Sequence, residues 1–212
     1  MLLSFDNLIL YYVCLALVFK NVSASPFRRN HAQTNLIFIM FDDLRLELFH
    51  YGRKYMKTPN FDRLASKSVT FDNAYCQIAV CNPSRDSLLT GLRPDTVGTY
   101  GFQHSWAPHM LLPQQLIHSN YHTAAYGKVM HWDADHRNVW SLESWQGDWY
   151  AYQNSEGGKY MNASVQPDNV WKEEQFRDYI LMTHALSGLE KLHSKSREDK
   201  NHFMLSIGYK LP

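Results

Sequence analysis

Apolar runs alternate with helical patterns along the chain and predict its strands. Residues 35–41 and 202–208 are continuous apolar runs of the kind that fill strands buried on both faces of a sheet. Residues 69–75 and 121–126 also have the composition of strands. Polar stretches and helical patterns separate these segments, so the sequence predicts an α/β arrangement.

Helix signals fall between the predicted strands. A proline in the first turn marks two helix starts, at Pro59 and Pro113. A longer helix is predicted to begin near Glu173. Its apolar residues recur every three or four positions and predict one core face: Tyr179, Met182, Leu186, Leu189 and Leu192.

These elements predict one domain, from residue 33 to residue 212, with a mostly parallel central sheet flanked by helices. Residues 132–167 lack clear periodicity and are interpreted as a long surface excursion. A parallel sheet needs cover on both faces, and the chain stops soon after a core strand. We therefore expect the domain to be C-terminally incomplete.

The first 24 residues have the features of a secretory signal peptide. Residues 8–19 are an apolar stretch, and residues 22–24 form a small-residue cleavage pattern. The stretch is shorter than the roughly 20 apolar residues that a spanning helix needs. We expect cleavage after Ala24, leaving no stable membrane span and a lysosomal or secreted protein. An uncleaved anchor is the alternative.

Composition and charge exclude several classes of protein. With 45% hydrophobic and 14% aromatic residues, the chain is too apolar to be disordered. Its 21 basic and 20 acidic residues give a net charge of +1, which leaves no electrostatic footprint for nucleic acid. After signal removal only Cys76 and Cys81 remain; they could form a local disulfide but not a disulfide framework.

The segment 81–91, with the sequence CNPSRDSLLTG, places a cysteine at a predicted helix start. Pro83 and Ser84 favour the first turn of a helix, and Gly91 favours its end. The positive end of a helix attracts anions. Arg85, four residues after Cys81, can face the same site and offer forked donors to an oxyanion. A buried structural cysteine is the alternative.

Two further pairs of polar residues follow predicted strands. Asp42 and Asp43 end the first strand, where adjacent carboxylates are costly unless they are paired or bind a cation. Their oxygens suit calcium better than zinc; a solvated turn that caps the next helix is the alternative. Lys128 and His131 follow the strand at 121–126, and an ordinary surface position is the alternative for both.

Segment 81–91 resembles the sulfatase signature, in which Cys-x-Pro-Ser-Arg followed by Leu-Thr-Gly marks a cysteine that is converted to formylglycine. Segment 35–75 is similar to the N-terminal part of sulfatases, and three other segments are similar to the iduronate-2-sulfatase subfamily: 91–96, 126–131 and 207–210. The similarity extends over essentially all of the mature chain. The resemblance implies an alkaline-phosphatase-like fold and a partner, the formylglycine-generating enzyme.

The resemblance also implies roles for individual residues. Formylglycine derived from Cys81 would be the nucleophile. Calcium would be held by Asp42, Asp43 and Cys81. Lys128 and His131 would contact the formylglycine and the sulfate: Lys128 would neutralise the sulfate, and His131 would hold the hydrated aldehyde or assist proton transfer. Together with Arg85 they would stabilise the negative charge of the transition state. Lys210, where the subfamily commonly has histidine, would bind a sulfate oxygen but is a poor proton donor or acceptor near neutral pH.

The implied reaction is hydrolysis of a sulfate ester in a glycosaminoglycan, most like the 2-sulfate of iduronate in heparan or dermatan sulfate. Asn162 begins a glycosylation sequon, consistent with a secretory protein. The family's other calcium ligands and its further sulfate-binding lysine are not found within these 212 residues, so we expect little or no activity from them alone. The alternatives are another sulfatase, a phosphonate or phosphodiester hydrolase of the superfamily, or an inactive remnant.

Overall fold

This computed structural model describes residues 34–103, 109–131, 139–142, 144–147 and 177–210. They contain three strands: β1 (Leu36–Phe41), β2 (Tyr121–Gly127) and β3 (His202–Tyr209). All pair in parallel, in the order β1-β3-β2. The register aligns Phe41 with Tyr209 and Gly127 with Gly208, so the carboxyl ends of the three strands meet at one edge.

Five α-helices and a short 3₁₀ helix are described around this sheet. The 3₁₀ helix covers Phe49–Tyr51. The α-helices are α1 (Pro59–Ala65), α2 (Cys81–Thr90), α3 (Pro94–Val97), α4 (Leu112–His118) and α5 (Arg177–Asp199). The helix starts predicted at Pro59 and Pro113 are confirmed. Within the described ranges, no helix combines the length and the apolarity that crossing a bilayer requires.

Two apolar clusters lie on the two faces of the sheet. Alternate residues of a strand point to opposite faces, and one face of β2 and β3 packs against α5. That cluster comprises Ala124, Tyr126, Leu181, Ala185, Leu192, Phe203, Leu205 and Ile207. The second cluster joins β2 to α2 and to the segments around it: Leu89, Leu111, Ala125, Val129, Met130, Val139 and Trp140. Helices on both faces are the arrangement expected for a parallel sheet.

Two predictions about the strands differ from the structure. β1 is not buried on both faces: Ile37 is 56% and Ile39 47% exposed, because β1 pairs only with β3 among the described strands. Residues 69–75 are not a strand, and Phe71 is 73% exposed. A strand needs a hydrogen-bonding neighbour, and the sheet described here offers this segment none.

The core face of α5 also differs from the predicted one. Leu186 is 53% exposed, whereas Leu181, Ala185 and Leu192 are buried. The helix lies close to β2 because Gly188 faces the ring of Tyr126. The surface of α5 that touches β2 therefore includes two small residues, Ala185 and Gly188. A pattern based on large apolar side chains does not mark such residues.

We expect Gly188→Ala to destabilise the chain although alanine is the better helix former. An added Cβ would lie 2.2 Å from Cζ and from the hydroxyl oxygen of Tyr126, whose side chain is packed in the core. Helix propensity alone predicts a gain of roughly 0.5–1 kcal/mol, whereas overpacking costs about 1–3 kcal/mol. Urea denaturation gives the sign. Ser187→Ala, at an exposed position of α5, is the control, and a more stable Gly188→Ala variant would contradict this packing.

Candidate active site

The carboxyl edge of the sheet gathers polar residues from all three strands. Asp42 follows β1, Lys128 follows β2 and Lys210 follows β3. The backbone N–H of Asp42 donates to the carbonyl of Tyr209 (3.0 Å), which continues the pairing past the end of β1. In α/β proteins, ligands bind at this edge of the sheet. The structure therefore brings residues from three distant parts of the sequence to one place.

Two glycines allow the turn after β2 to cross closely over β3. Gly127 has φ +75°, and the backbone N–H of Lys128 donates to the carbonyl of Gly208 (2.7 Å). A Cβ on Gly208 would lie 2.0 Å from the carbonyl oxygen of Lys128. Neither glycine was predicted to matter for the site, although Gly208 ends a predicted strand and Gly127 follows one. Their close contact fixes the position of the Lys128 backbone at the start of the turn.

Helix α2 carries the predicted motif in the predicted way. It begins at Cys81 and ends at Thr90, and Gly91 follows in the left-handed conformation with φ 70°. The N–H of Gly91 donates to the carbonyl of Ser87 (2.9 Å), which is a typical helix end at glycine. Cys81 thus occupies the first turn, where unpaired backbone N–H groups and the helix dipole favour an anion.

Asp42 forms ion pairs with both predicted cations. Its Oδ1 accepts a hydrogen bond from Arg85 (2.9 Å), and its Oδ2 accepts one from Lys128 Nζ. All three side chains are largely buried, with exposures of 12%, 7% and 8% for Asp42, Arg85 and Lys128. Burial alone raises the pKa of Asp42, but the hydrogen bond and charge of Lys128, together with those of Arg85, outweigh it and lower the pKa below its usual value. The alternative of a solvated turn is therefore wrong for Asp42.

Arg85 also connects α2 to the turn after β2. Its Nη1 donates to the carbonyl of Lys128 and to that of Val129 (3.2 Å). One guanidinium thus bonds to Asp42 after β1 and to the backbone after β2. This forked geometry is specific to arginine.

Cys81 and His131 form the second pair of the site. The Sγ atom of Cys81 lies 3.2 Å from Nδ1 of His131, and the imidazole is buried. Cys81 is partly exposed, so its side chain faces both the histidine and the solvent. Both Cys76 and Cys81 are free thiols, and Cys76 is exposed; the local disulfide considered from the sequence is not formed.

Two residues beside this pair were missed by the sequence analysis. Asn82 is 1% exposed, and its amide donates to the carbonyls of Gly101 and Gln103 (2.8 Å each). Phe102, between those two carbonyls, has its ring 4.9 Å from the ring of His131. No local pattern in the sequence connects residue 82 with residues 101–103, because the contact forms only in the folded chain.

Other predicted residues are less closely joined to the site. Asp43 is exposed, with φ 54°, next to Asp42. Lys210 lies at the same edge of the sheet, and its backbone N–H donates to Asp178 Oδ1 (3.5 Å). Asn162, the signal segment 1–24 and most of the excursion 132–167 lie outside the described residues, so these predictions stay as they are.

Of the three residues named for calcium, the two carboxylates offer the oxygen ligands that the ion prefers and the Cys81 thiol does not, and three residues are too few. Carboxylate oxygens are its usual ligands, and it takes roughly six to eight of them. In the part of the chain that the structure describes, no three His, Cys, Asp or Glu side chains are grouped so that they could hold a metal ion. Both oxygens of Asp42 already accept hydrogen bonds from cations. These residues alone do not form a calcium site, and calcium binding by Asp42, Asp43 and Cys81 stays a prediction.

Comparisons with known proteins find relatives along most of the chain. The sulfatase family model matches residues 34–208. Iduronate 2-sulfatase of Mus musculus is 34% identical over 227 aligned residues, which cover 99% of this chain and 40% of the mouse protein. N-acetylglucosamine-6-O-sulfatase of Bacteroides thetaiotaomicron is 31% identical over 152 residues, 65% of this chain and 26% of that protein. The chain thus spans about two fifths of the length of the mouse relative.

The fold is shared with solved structures. BT4656, in complex with its substrate D-glucosamine-2-N,6-O-disulfate, matches with a TM-score of 0.59 and 23% identity, over 85% of this chain and 35% of that one. The predicted α/β fold, a parallel sheet flanked by helices, is therefore confirmed as the alkaline-phosphatase-like fold of sulfatases. Because the family model covers residues 34–208, the chain belongs to the sulfatase family.

Proposed function

We propose that this chain forms the nucleophile-bearing part of a sulfate ester hydrolase that acts on sulfated sugars. The observation that carries the proposal is the position of Cys81: it lies in the first turn of α2, 3.2 Å from His131 Nδ1 and one helical turn before Arg85. Arg85 in turn bonds to the segment that contains Lys128. The arrangement joins a modifiable side chain, an imidazole and two cations.

Electrostatics at the site favour an anion. Arg85 and Lys128 carry two positive charges against the single negative charge of Asp42, and all three are largely buried. The N-terminus of α2 adds partial positive charge beside Cys81. A sulfate group adjacent to Cys81 would be attracted by the remaining positive charge, which interacts more strongly in this partly desolvated setting than in water.

The side chain of residue 81 has room for the family's modification. Cys81 is partly exposed, and its Sγ occupies the place that an oxygen of hydrated formylglycine would take. That hydrate would supply the oxygen that attacks sulfur; the alcohol leaves with a proton, and release of sulfate regenerates the aldehyde. His131 Nδ1, 3.2 Å from Sγ, is placed to hold a hydroxyl of the hydrate and to exchange its proton.

The two cations would stabilise the charge that grows on the sulfate oxygens during transfer. Arg85 is held in place by Asp42 and two backbone carbonyls, so its guanidinium needs little reorganisation. Lys128 Nζ is held on the other oxygen of Asp42. We assign Lys210, at the same edge of the sheet, to a sulfate oxygen farther from the reacting bond.

For the substrate we propose the 2-sulfate of iduronate, supported by the similarity to the mouse enzyme along nearly the whole chain. A 6-sulfated amino sugar is the second candidate, supported by the similarity to the Bacteroides N-acetylglucosamine-6-O-sulfatase over 65% of the chain. We further propose that the protein passes through the secretory pathway as a lysosomal or secreted glycoprotein; the predicted signal segment and the proposed modification by the formylglycine-generating enzyme support this.

The test is the mass of the tryptic peptide that contains Cys81, from the chain expressed in a secretory host. We expect formylglycine at position 81 because the residue stands in the signature sequence and its side chain is accessible. Cys76, an exposed thiol in the same tryptic peptide (residues 68–85), is the internal control and is expected to remain cysteine; fragmentation of the peptide in tandem mass spectrometry assigns the modified position.

Two results would contradict the proposal. One is an unmodified thiol at position 81 in protein that has passed through the secretory pathway. The other is formylglycine at position 81 in a chain that shows no affinity for inorganic sulfate by isothermal titration calorimetry, since the cationic site would then not bind the group it is proposed to bind.

A further inference from the structure

The loop 98–103 beside Cys81 is held by side chains on two sides. From α2, the amide of Asn82 donates to the carbonyls of Gly101 and Gln103 (2.8 Å each). From within the loop, Gln103 Oε1 accepts from the N–H of Gly101 (2.9 Å), and Gln103 Nε2 donates to the carbonyl of Gly98 (3.2 Å). Two hydrogen bonds thus join this short loop to the helix that begins at Cys81, and two more lie within the loop.

This loop contains two aromatic residues, Tyr100 and Phe102, and the ring of Phe102 lies beside His131 at the rim of the site. Phe102 lies between the two carbonyls that Asn82 binds, and its ring is 4.9 Å from the ring of His131 at an angle of 32°. The residue is nevertheless 56% exposed. A single exposed phenylalanine is common on protein surfaces, but here the backbone on both sides of the residue is hydrogen-bonded to Asn82, and the ring adjoins the imidazole that contacts Cys81.

The chemistry of a sulfated sugar fits such a ring. When a sulfate ester binds at Cys81 and the cations, the sugar that carries it must lie at the rim of the site. A pyranose ring has an apolar C–H face, and an aromatic ring offers a flat apolar surface to it. Because Phe102 is already held in place, binding would cost little conformational entropy.

We propose that Phe102 is a specificity-determining residue whose ring packs against the C–H face of the sugar that carries the sulfate, and that Asn82 is the positioning residue that holds it there. The inference rests on the proposed function, because it assumes that sulfate binds beside Cys81. It adds a contact to the sugar, distinct from the charged contacts to the sulfate.

The test measures affinity by isothermal titration calorimetry for two probes, inorganic sulfate and a methyl pyranoside sulfate, using the whole chain. We expect Phe102→Ala to weaken binding of the sulfated sugar by about 10-fold, as the loss of an aromatic contact implies, and to leave the affinity for inorganic sulfate unchanged. Asn82→Ala should show the same selective loss. Phe71→Ala, which removes another exposed phenylalanine (73%), is the matched control and should change neither affinity.

The possible outcomes separate this inference from the function beneath it. If Phe102→Ala binds both probes as the unaltered chain does, the sugar contact is wrong although sulfate binding stands. If Phe102→Ala weakens both probes equally, the ring only supports His131, and the inference is likewise wrong. If the unaltered chain binds neither probe, the proposed function fails and the inference falls with it.

Discussion

Replacing Asp42 with Asn is expected to lower the free energy of unfolding by about 3–5 kcal/mol, the cost of removing one partner from a buried ion pair. Asp42 is the carboxylate that Arg85 and Lys128 share, and the side chains of both cations are less than a tenth exposed. An amide at this position leaves two positive charges without a counter-charge in a partly desolvated site. The expected loss is therefore a large fraction of the stability of a typical domain.

Urea denaturation at neutral pH measures this effect. Glu47→Gln is the control because Glu47 pairs with Arg45, whose side chain is 81% exposed, at 2.6 Å. Exposed pairs contribute at most about 1 kcal/mol. A loss no larger for Asp42→Asn than for Glu47→Gln would show that the buried ion pairs of the site do not stabilise the fold.

Replacing Gly208 with Ala is expected to disrupt both the sheet and the site. An added Cβ would lie 2.0 Å from the carbonyl oxygen and 2.1 Å from the carbonyl carbon of Lys128, and 2.7 Å from the N of Val129. All three are backbone atoms, which cannot rotate away as a flexible side chain can. Because the turn after β2 must shift, we expect a loss of roughly 3 kcal/mol or more in the free energy of unfolding.

The same variant should also weaken sulfate binding. Lys128 lies in the turn that must shift, and Arg85 donates to the carbonyl of Lys128, so both cations would be displaced. Urea denaturation and calorimetry with inorganic sulfate check the two effects separately. Gly101→Ala is the control: its Cβ would meet only the side-chain Oε1 of Gln103, at 3.2 Å, which can move aside. Equal stability of the two variants would contradict the close crossing described here.

The two effects have different origins. The ion pairs of Asp42 depend on charge, so the loss should follow the removal of the carboxylate whatever the shape of the new side chain. The crossing at Gly208 depends on space, so any side chain at that position should be harmful. Measuring sulfate affinity in both variants tests whether charge and backbone placement act on the same site.

Much of the fold could be predicted from the sequence because it depends on local physics. Apolar runs predicted β1 and β3, the composition of residues 121–126 predicted β2, and prolines in a first turn predicted the starts of α1 and α4. Gly91 ends α2 as predicted, because glycine adopts the left-handed conformation without a steric penalty. The motif that begins at Cys81 identified the family, and the chemistry of its residue types indicated an anion site before any contact was known.

Tertiary structure alone decided which side chains meet. Asp42 pairs with Arg85 and Lys128, which are 43 and 86 residues away in the sequence, and no local pattern specifies partners at that separation. For the same reason the sequence did not predict that Asn82 holds the loop carrying Phe102.

Whether a residue is buried also depends on which segments pack against it, and the periodicity of a sequence does not specify those segments. Residues 69–75 have the composition of a strand but no neighbouring strand in the described sheet, and β1 has an exposed apolar surface. In α5, Leu192 is buried as predicted, but the packing of Gly188 on Tyr126 goes with a buried face that includes Leu181 and Ala185 and leaves Leu186 exposed. The sequence by itself thus determined the elements and the chemical character of the site, because these depend on residue type and local spacing. The packing of distant segments decided the geometry of the site. Each contact there joins two residues that are far apart in the sequence, so neither residue's local sequence specifies the other.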